Sequence, residues 1–271
     1  MAEDKKRDWD FAGIAGGYEK YLVPVLSMWT EPLFEKTDLE NGEDVLDFAC
    51  GTGSVIRTLT DHLDAPGRLV GLDVEPAMLD VARSRAKQLP VDVQWHQADA
   101  ADMPFADESF DVAYCQQGLQ FMDDSVAALS EAHRVLRPNG RLALSVWSHL
   151  DDSPHYAVLT EALQNHIGDR AAAAMRAPFD ALSSPGKLRR CIESAGFRGI
   201  DVEGVTHRIS YPGAEEFFRR EIVSWLADAV GDLSDRSRKA IVTDLQQGLQ
   251  RYIDADGLEV PMRALVARGT K

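Results

Sequence analysis

Residues 45–53 read VLDFACGTG, and Asp73 follows Gly53 by twenty residues, inside the segment VGLDVEPAML at 70–79. An apolar run ends in a glycine-rich turn, a helical pattern follows, and a second apolar run ends in an acid. That layout is a βαβ unit for binding a nucleoside. Gly51 and Gly53 let the backbone approach a ligand closely. Asp73, at the tip of the second strand, can accept both hydroxyls of a ribose. The bland roles are a helix N-cap ahead of Pro76 for Asp73 and plain turn positions for the glycines. The spacing between turn and acid favours ligand contact.

The same turn argues against a dinucleotide. A pyrophosphate cradle reads G-x-G-x-x-G, and Ile56 stands where the third glycine belongs. Asp47 precedes the turn, inside the strand end. Its carboxylate repels a pyrophosphate and favours a ligand with a positive charge. S-adenosylmethionine (SAM) has a ribose, an adenine, an amine, a sulfonium and no phosphate, so it fits. A nicotinamide cofactor fits poorly.

Four ordered segments resemble the class I SAM-dependent methyltransferases. Residues 45–53 are similar to that family's V-L-D-x-G-C-G-T-G, and residues 71–79 to its G-x-D-x-S-x-x-M-L. DAADMPFADESFDV at 99–112 is similar to D-A-x-x-L-P-F-x-D-x-S-F-D-V, and RVLRPNGR at 134–141 to R-V-L-K-P-G-G-R. The resemblance covers residues 45–145 and points to the branch that includes ubiquinone-type and small-molecule methyltransferases. Ala49 and Asn139 stand where the family has glycine. A methyl group is small and Asn accepts the left-handed conformation, so both turns are expected to survive.

The resemblance implies SAM as methyl donor and S-adenosylhomocysteine as product. Asp73 then holds the ribose, with Val74 beside it. Ala49, Gly51 and Gly53 form the turn, and Asp47 orients the methionine amine, directly or through water. Asp99 meets the adenine amino group and Ala100 offers its backbone amide. Met78 packs on the adenine or ribose, or simply in the core. Gln116 lies near the methionine portion, while Gln117 and Gln120 face the acceptor or cap a helix. Tyr18 and Tyr21 close over SAM. The segment CQQGLQF at 115–121 lacks the N/D-P-P-Y/F element of base-modifying amino-methyltransferases, which argues against a nucleobase amine as acceptor.

Methyl transfer from a sulfonium is an in-line displacement with a good leaving group. Positioning alone can supply about 7–11 kcal/mol. A base is required only if the acceptor must shed a proton. His149, His155 and Tyr18 are candidates by position, and each is as readily a packing or surface residue. The expected activity is methylation of a small-molecule acceptor at O, C or N. The alternative is a SAM-binding protein without methyl transfer, used as a cyclase or regulator.

The chain has 271 residues and a net charge of −15. Its basic clusters, at 5–7, 187–190 and 236–239, are short and flanked by acids, so no nucleic-acid partner is expected. No apolar run reaches membrane-spanning length, and no secretory signal follows the basic N-terminus. A cytoplasmic protein without membrane contact is expected. Three widely spaced cysteines and seven scattered histidines form no ligand pattern, so no metal is expected.

Strands are expected at 44–49, 68–73, 91–96, 110–115 and 140–147, with 197–209 and 258–267 as the last two. The alternation with helices predicts a doubly wound, mostly parallel α/β sheet. The resemblance makes it a Rossmann-like seven-stranded sheet with an antiparallel edge hairpin. The whole chain, 1–271, reads as one domain: an N-terminal helical lid at 9–38, a SAM-binding core at 44–148 and helical cap segments at 151–190 and 213–254. Pro178 and Pro185 are expected to break the first cap segment. Both insertions are too long for plain connections and carry Tyr156, Leu159, Leu163, Phe217, Ile222 and Trp225 at helical spacing. They are expected to enclose the acceptor; packing on the sheet or a homodimer interface is the competing role.

Overall fold

The computed structural model describes residues 14–271, so Trp9 and Phe11 of the expected lid lie outside the described residues. The strands are β1 (Val45–Phe48), β2 (Leu69–Asp73), β3 (Val93–Gln97), β4 (Phe110–Gln116), β5 (Leu136–Trp147), β6 (Arg198–Tyr211), β7 (Ile253–Asp254) and β8 (Gly257–Thr270). They form one sheet in the order β3-β2-β1-β4-β5-β8-β6, with the two-residue β7 folded back on β8. β1 to β5 pair in parallel, and β8 runs antiparallel between β5 and β6. The expected mostly parallel sheet with antiparallel edge strands is thus present, with short β7 as an addition.

Alternation along the strands divides the core between two faces, as a pleated strand requires. Val45, Val112 and Tyr114 face one apolar cluster, and Leu46, Phe48, Ala113 and Cys115 the other. The helices that matter here are α1 (Ser54–Leu59), α2 (Pro76–Ala86), α3 (Ser125–Val135), α4 (Pro154–His166), α5 (Asp169–Asp180), α6 (Pro185–Ser194), α7 (Ala214–Glu221) and α8 (Asp235–Gly248). α4 packs against α5 and α8. Leu159, Leu163, Phe217, Ile241 and Leu245 give the cap a core continuous with the first cluster.

Two proline expectations resolve differently. Pro185 starts α6, where Ser184 caps the amide of Lys187 at 3.3 Å; a first-turn proline loses no intrahelical bond. Pro178 does not break α5, which continues to Asp180. It sits in the last turn, where only one backbone N–H hydrogen bond is forfeited and little helix remains to be disrupted. α6 packs against α3 and β6, and its Leu188 and Ile192 join the second cluster. Residues 185–190 therefore sit with the sheet layer and not with the cap.

The RVLRPNGR segment starts as the end of α3, and from Leu136 on it is absorbed into β5. Phe110 pairs with Leu136 and Val112 with Arg141, so the strand bulges between them, and Asn139 takes a positive φ of 66°. Arg134 of the same segment donates to the carbonyls of Met103 (3.0 Å) and Phe105 (2.7 Å) and pairs with Glu131 and Asp107. That explains why this segment and the DAADMPFADESFDV block belong together: one guanidinium fastens the loop after β3 to α3.

Residues 15–35 form a run of short helical turns across the sheet. One is a π-helical turn, Tyr18–Leu22, and it packs on a second π turn in the cap, Ile222–Leu226. Gly17 permits the contact, because a Cβ there would lie 1.9 Å from the carbonyl oxygen of Val223. Glu19 is gripped by Arg57 of α1 (2.9 Å) and Arg85 of α2 (3.4 Å). Trp29 anchors the run from below. It is fully buried, meets Trp147 and His207 edge-on, and donates its indole N–H to the Val205 carbonyl at 3.1 Å. Trp29→Ala is expected to lower unfolding stability by about 3–5 kcal/mol, measured by urea denaturation.

Candidate active site

A cavity of about 380 Å³ opens at the carboxyl ends of β1, β2 and β4 and runs under the cap. This is the place where the strand order of an open α/β sheet reverses, and ligands bind there. Its polar end is walled by Ala49, Gly51, Asp73, Val74, Asp99 and Ala100.

Asp73 organises that end. Its Oδ2 accepts the amide of Gly51 at 2.7 Å and its Oδ1 the amide of Glu75 at 2.9 Å. The N-cap of α2 is Glu75, whose carboxylate accepts the Ala77 amide at 3.1 Å. Asp73 is thereby free of the capping role and stands on the cavity wall. Burial pushes its carboxyl upward, and the amide bonds oppose that shift. Ala49 adopts a positive φ of 55°, a conformation that strains an L-residue by about 1–2 kcal/mol, so the methyl group is accommodated at a cost.

Asp47 lies below the turn, fully buried and off the cavity wall, and neither carboxylate oxygen has a hydrogen-bond partner. Burial, and then the charge of Asp73, hold its carboxyl well above the ordinary carboxylate range. A buried acid without partners is costly unless something positive or hydrogen-bonding meets it. An accepting carboxylate at Asp73 and an orphaned one at Asp47 fit a ligand with a ribose and an ammonium group.

Tyr18 stands on the wall, with its hydroxyl over the turn, 3.6 Å from where a Gly51 Cβ would stand. Burial first, then Asp73 and Asp47, push its hydroxyl far above the ordinary phenol. It stays protonated and is a hydrogen-bond donor in character. Met78 and Gln116 also reach the wall. Gln116 is held by the lid: its amide donates to the Leu26 carbonyl (2.9 Å) and to Thr30 Oγ1 (3.1 Å). Gln117 lines the cavity and accepts from Gln120 at 3.0 Å, whereas Gln120 itself does not reach the cavity wall.

Besides Asp47, four expected residues stand off the cavity wall. Tyr21 is turned to the cap, where Arg219 donates to its hydroxyl at 3.1 Å and Lys20, Arg219 and Arg220 surround its ring. On the π turn, Tyr18 and Leu22 share the cavity face and Tyr21 leaves it. Gly53 is set by sterics: its φ is +76°, and a Cβ would lie 2.4 Å from the Trp95 ring. His149 is exposed beside Asp151 at 3.3 Å. His155 is buried against Tyr156, ring centroids 4.2 Å apart, with neither ring nitrogen partnered. Desolvation lowers its pKa to about 3, so it remains neutral, and it does not touch the cavity.

The far end of the cavity is aromatic: Trp147 from β5, Tyr156 from α4, Phe179 from α5 and Trp225 from the cap π turn. Sequence reasoning singled out Tyr156 and Trp225 as cap residues and missed Trp147, Phe179, Leu22 and Leu26. The signal for the last two was present in their four-residue spacing. Among the described residues, no group of three or more His, Cys, Asp or Glu side chains could hold a metal ion. No helix of the described residues is long and apolar enough to cross a membrane.

Fold and site together define a doubly wound domain with a cavity at the carboxyl ends of its strands and no G-x-G-x-x-G phosphate cradle in the turn after β1. Residues 46–144 match the methyltransferase domain family. A 2-phytyl-1,4-naphtoquinone methyltransferase from Thermosynechococcus vestitus is 31% identical over 185 residues, covering 64% of this chain and 80% of that enzyme. A demethylmenaquinone methyltransferase from Lactobacillus johnsonii is 34% identical over 118 residues, covering 43% of this chain and 48% of that enzyme. The chain thus spans about half the length of the second relative. The crystal structure of YcgJ protein from Bacillus subtilis shares the fold, with a TM-score of 0.61 at 19% identity over 91% of this chain and 97% of that one. The chain belongs to the SAM-dependent methyltransferase family.

The orphaned acid yields a pH test. A carboxyl raised in the folded state contributes full stability below its unfolded pKa of about 3.9, and that contribution is lost as pH rises through the folded value. Asp47→Asn is therefore expected to stabilise the ligand-free protein more at pH 8 than at pH 5, measured by urea midpoints, while weakening S-adenosylhomocysteine binding.

Proposed function

We propose that this protein transfers a methyl group from SAM to a small, apolar, ring-bearing acceptor, at O, C or N, and that positioning supplies most of the acceleration. The observation that carries this reading is the continuity of one cavity from the polar wall at Asp73 and Asp99 to the aromatic wall at Trp147, Tyr156, Phe179 and Trp225. SAM is a co-substrate here, consumed in each turnover, and it supplies the electrophilic methyl. Asp73 binds the ribose hydroxyls, Asp47 faces the ammonium, directly or through water, and Asp99 with the Ala100 amide reads the adenine. Tyr18, Leu22 and Leu26 cover the methionine arm and exclude water.

The aromatic wall suits a flat acceptor. Two relatives are named as methyltransferases of demethylmenaquinone and of a 2-phytyl-1,4-naphtoquinone, which supports a fused-ring acceptor for this chain. The reading is tested by incubating the protein with SAM and a set of hydroxylated and quinol-type aromatics and following S-adenosylhomocysteine formation. Binding of SAM without product from any acceptor would favour the cyclase or regulator reading instead.

Asp73→Ala removes a charged partner whose hydrogen bonds are each worth about 1.5–3 kcal/mol. S-adenosylhomocysteine affinity by calorimetry is expected to fall at least tenfold. Phe179→Ala is expected to raise acceptor KM or lower kcat while S-adenosylhomocysteine affinity stays within a few-fold. Turnover is expected to be unaffected by a chelator and unaltered by added magnesium or zinc.

A further inference from the structure

Glu221, the last residue of α7, is an acid in an apolar place. It is 3% exposed and surrounded by the cap core. Its neighbour Glu216 pairs with both Arg219 and Arg220, at 2.7 and 2.9 Å. Glu221 instead accepts the Trp225 indole N–H at 2.5 Å, and it is electrostatically coupled to the Tyr156 hydroxyl. Tyr156 and Trp225 both line the aromatic end of the cavity. A buried acid is costly, and the cap core is built largely of apolar side chains such as Leu159, Leu163, Phe217, Ile241 and Leu245. The carboxylate therefore serves the cavity wall, one hydrogen bond behind it.

We propose that Tyr156 and Glu221 form a proton-accepting pair that ionises a ring hydroxyl of the acceptor as the methyl is transferred to that oxygen. This rests on the methyl-transfer reading above and adds the acceptor class, a phenol or naphthol. Tyr156 is the catalytic residue, since it touches the acceptor; Glu221 acts through it. The acceptor O–H proton passes to the Tyr156 oxygen while the Tyr156 proton passes to the Glu221 carboxylate. The new O–CH3 bond forms as the S–CH3 bond breaks, with its electron pair remaining on sulfur. The products are an aryl methyl ether, S-adenosylhomocysteine and a protonated Glu221, which returns its proton to solvent.

The surroundings suit that role. Tyr211 and Arg220 interact with Glu221 electrostatically, the uncharged His155 ring packs on Tyr156, and Trp225 donates to the carboxylate. Burial raises the carboxyl to about 7, with Trp225, Tyr156 and Arg220 opposing. A proton acceptor works best with a pKa near the operating pH. Burial also holds the Tyr156 hydroxyl far above an ordinary phenol, so Tyr156 relays a proton and does not rest as a phenolate.

The experiment measures methylation of phenol, 1-naphthol and 2-naphthol by the full chain with SAM, as kcat/KM against pH, alongside S-adenosylhomocysteine affinity. In the native protein kcat/KM should rise with pH to a plateau above about 7. Glu221→Gln and Tyr156→Phe should lower it by about 10²-fold or more and abolish that limb, leaving a rise only toward the probe's own ionisation near about pH 10. Glu221→Asp should recover part of the limb. Affinity for S-adenosylhomocysteine should stay within a few-fold in all variants, which shows that the site is folded. Tyr156→Phe preserves the ring packing and stands as the second variant should Glu221→Gln fail to fold. Retention of the limb in either folded variant overturns the pair. Native protein that binds S-adenosylhomocysteine yet methylates none of the three probes overturns the pair and leaves the broader methyl-transfer reading intact. Native protein that does not bind S-adenosylhomocysteine overturns that reading and the pair with it.

Discussion

The ligand end of the sheet depends on one hydrogen bond, from the Gly51 amide to the Asp73 carboxylate. It joins the turn after β1 to the tip of β2, so the two loops at the polar end of the cavity are tied together. The strained conformation at Ala49 and the left-handed glycine at Gly53 are tolerable because that bond, the helix start at Ser54 and the Trp95 ring over-determine the turn. The same bond leaves the Asp73 carboxylate on the wall, and the Glu75 cap frees it from the helix.

The central sheet was legible in the sequence because its signals are local. Glycine spacing, strand-end acids and Pro76 each act within a few residues of where they stand, and β1 through β5 fall within a few residues of their expected bounds. The cap was legible only as excess chain. Whether Tyr156 or His155 reaches the cavity is decided by how α4 packs on α5 and α8, which no local pattern encodes, and adjacent residues took opposite fates. Tyr18 and Tyr21 separated for a similar reason: the π turn alters the phase between them, and nothing in the composition of YEKYL announces it. Pro178 misled because a proline's effect depends on its distance from the helix end, and that end is set by tertiary packing. Phe179, beside it, was lost with the expected break.

Two buried acids and one half-buried acid line or back the cavity, and their environments differ. Asp73 is held by backbone amides, Glu221 by the Trp225 indole, and Asp47 by nothing in the protein. The gradient runs from an acid anchored by backbone amides at the cavity wall to one with no hydrogen-bond partner at all. Folding alone does not explain the placement of Asp47, since an apolar residue would be cheaper there. Its cost is borne by the rest of a well-packed core, including the Trp29 anchor and the continuous cluster beneath the cap.

The paired π turns carry a further consequence, in helical phase. Each π turn holds one residue more than an α-helix would need, and one residue of an α-helix is a rotation of about 100°. The lid turn presents Tyr18 and Leu22 to the cavity, and the cap turn presents Trp225. Removing a single residue from either turn would leave a regular helix that is locally more comfortable, yet it would swing the side chains beyond it away from the wall. Residue count in these two turns, more than residue identity, sets which side chains meet the substrate. Variation by one-residue insertion or deletion is then a direct route by which such a pocket is reshaped without disturbing the sheet below.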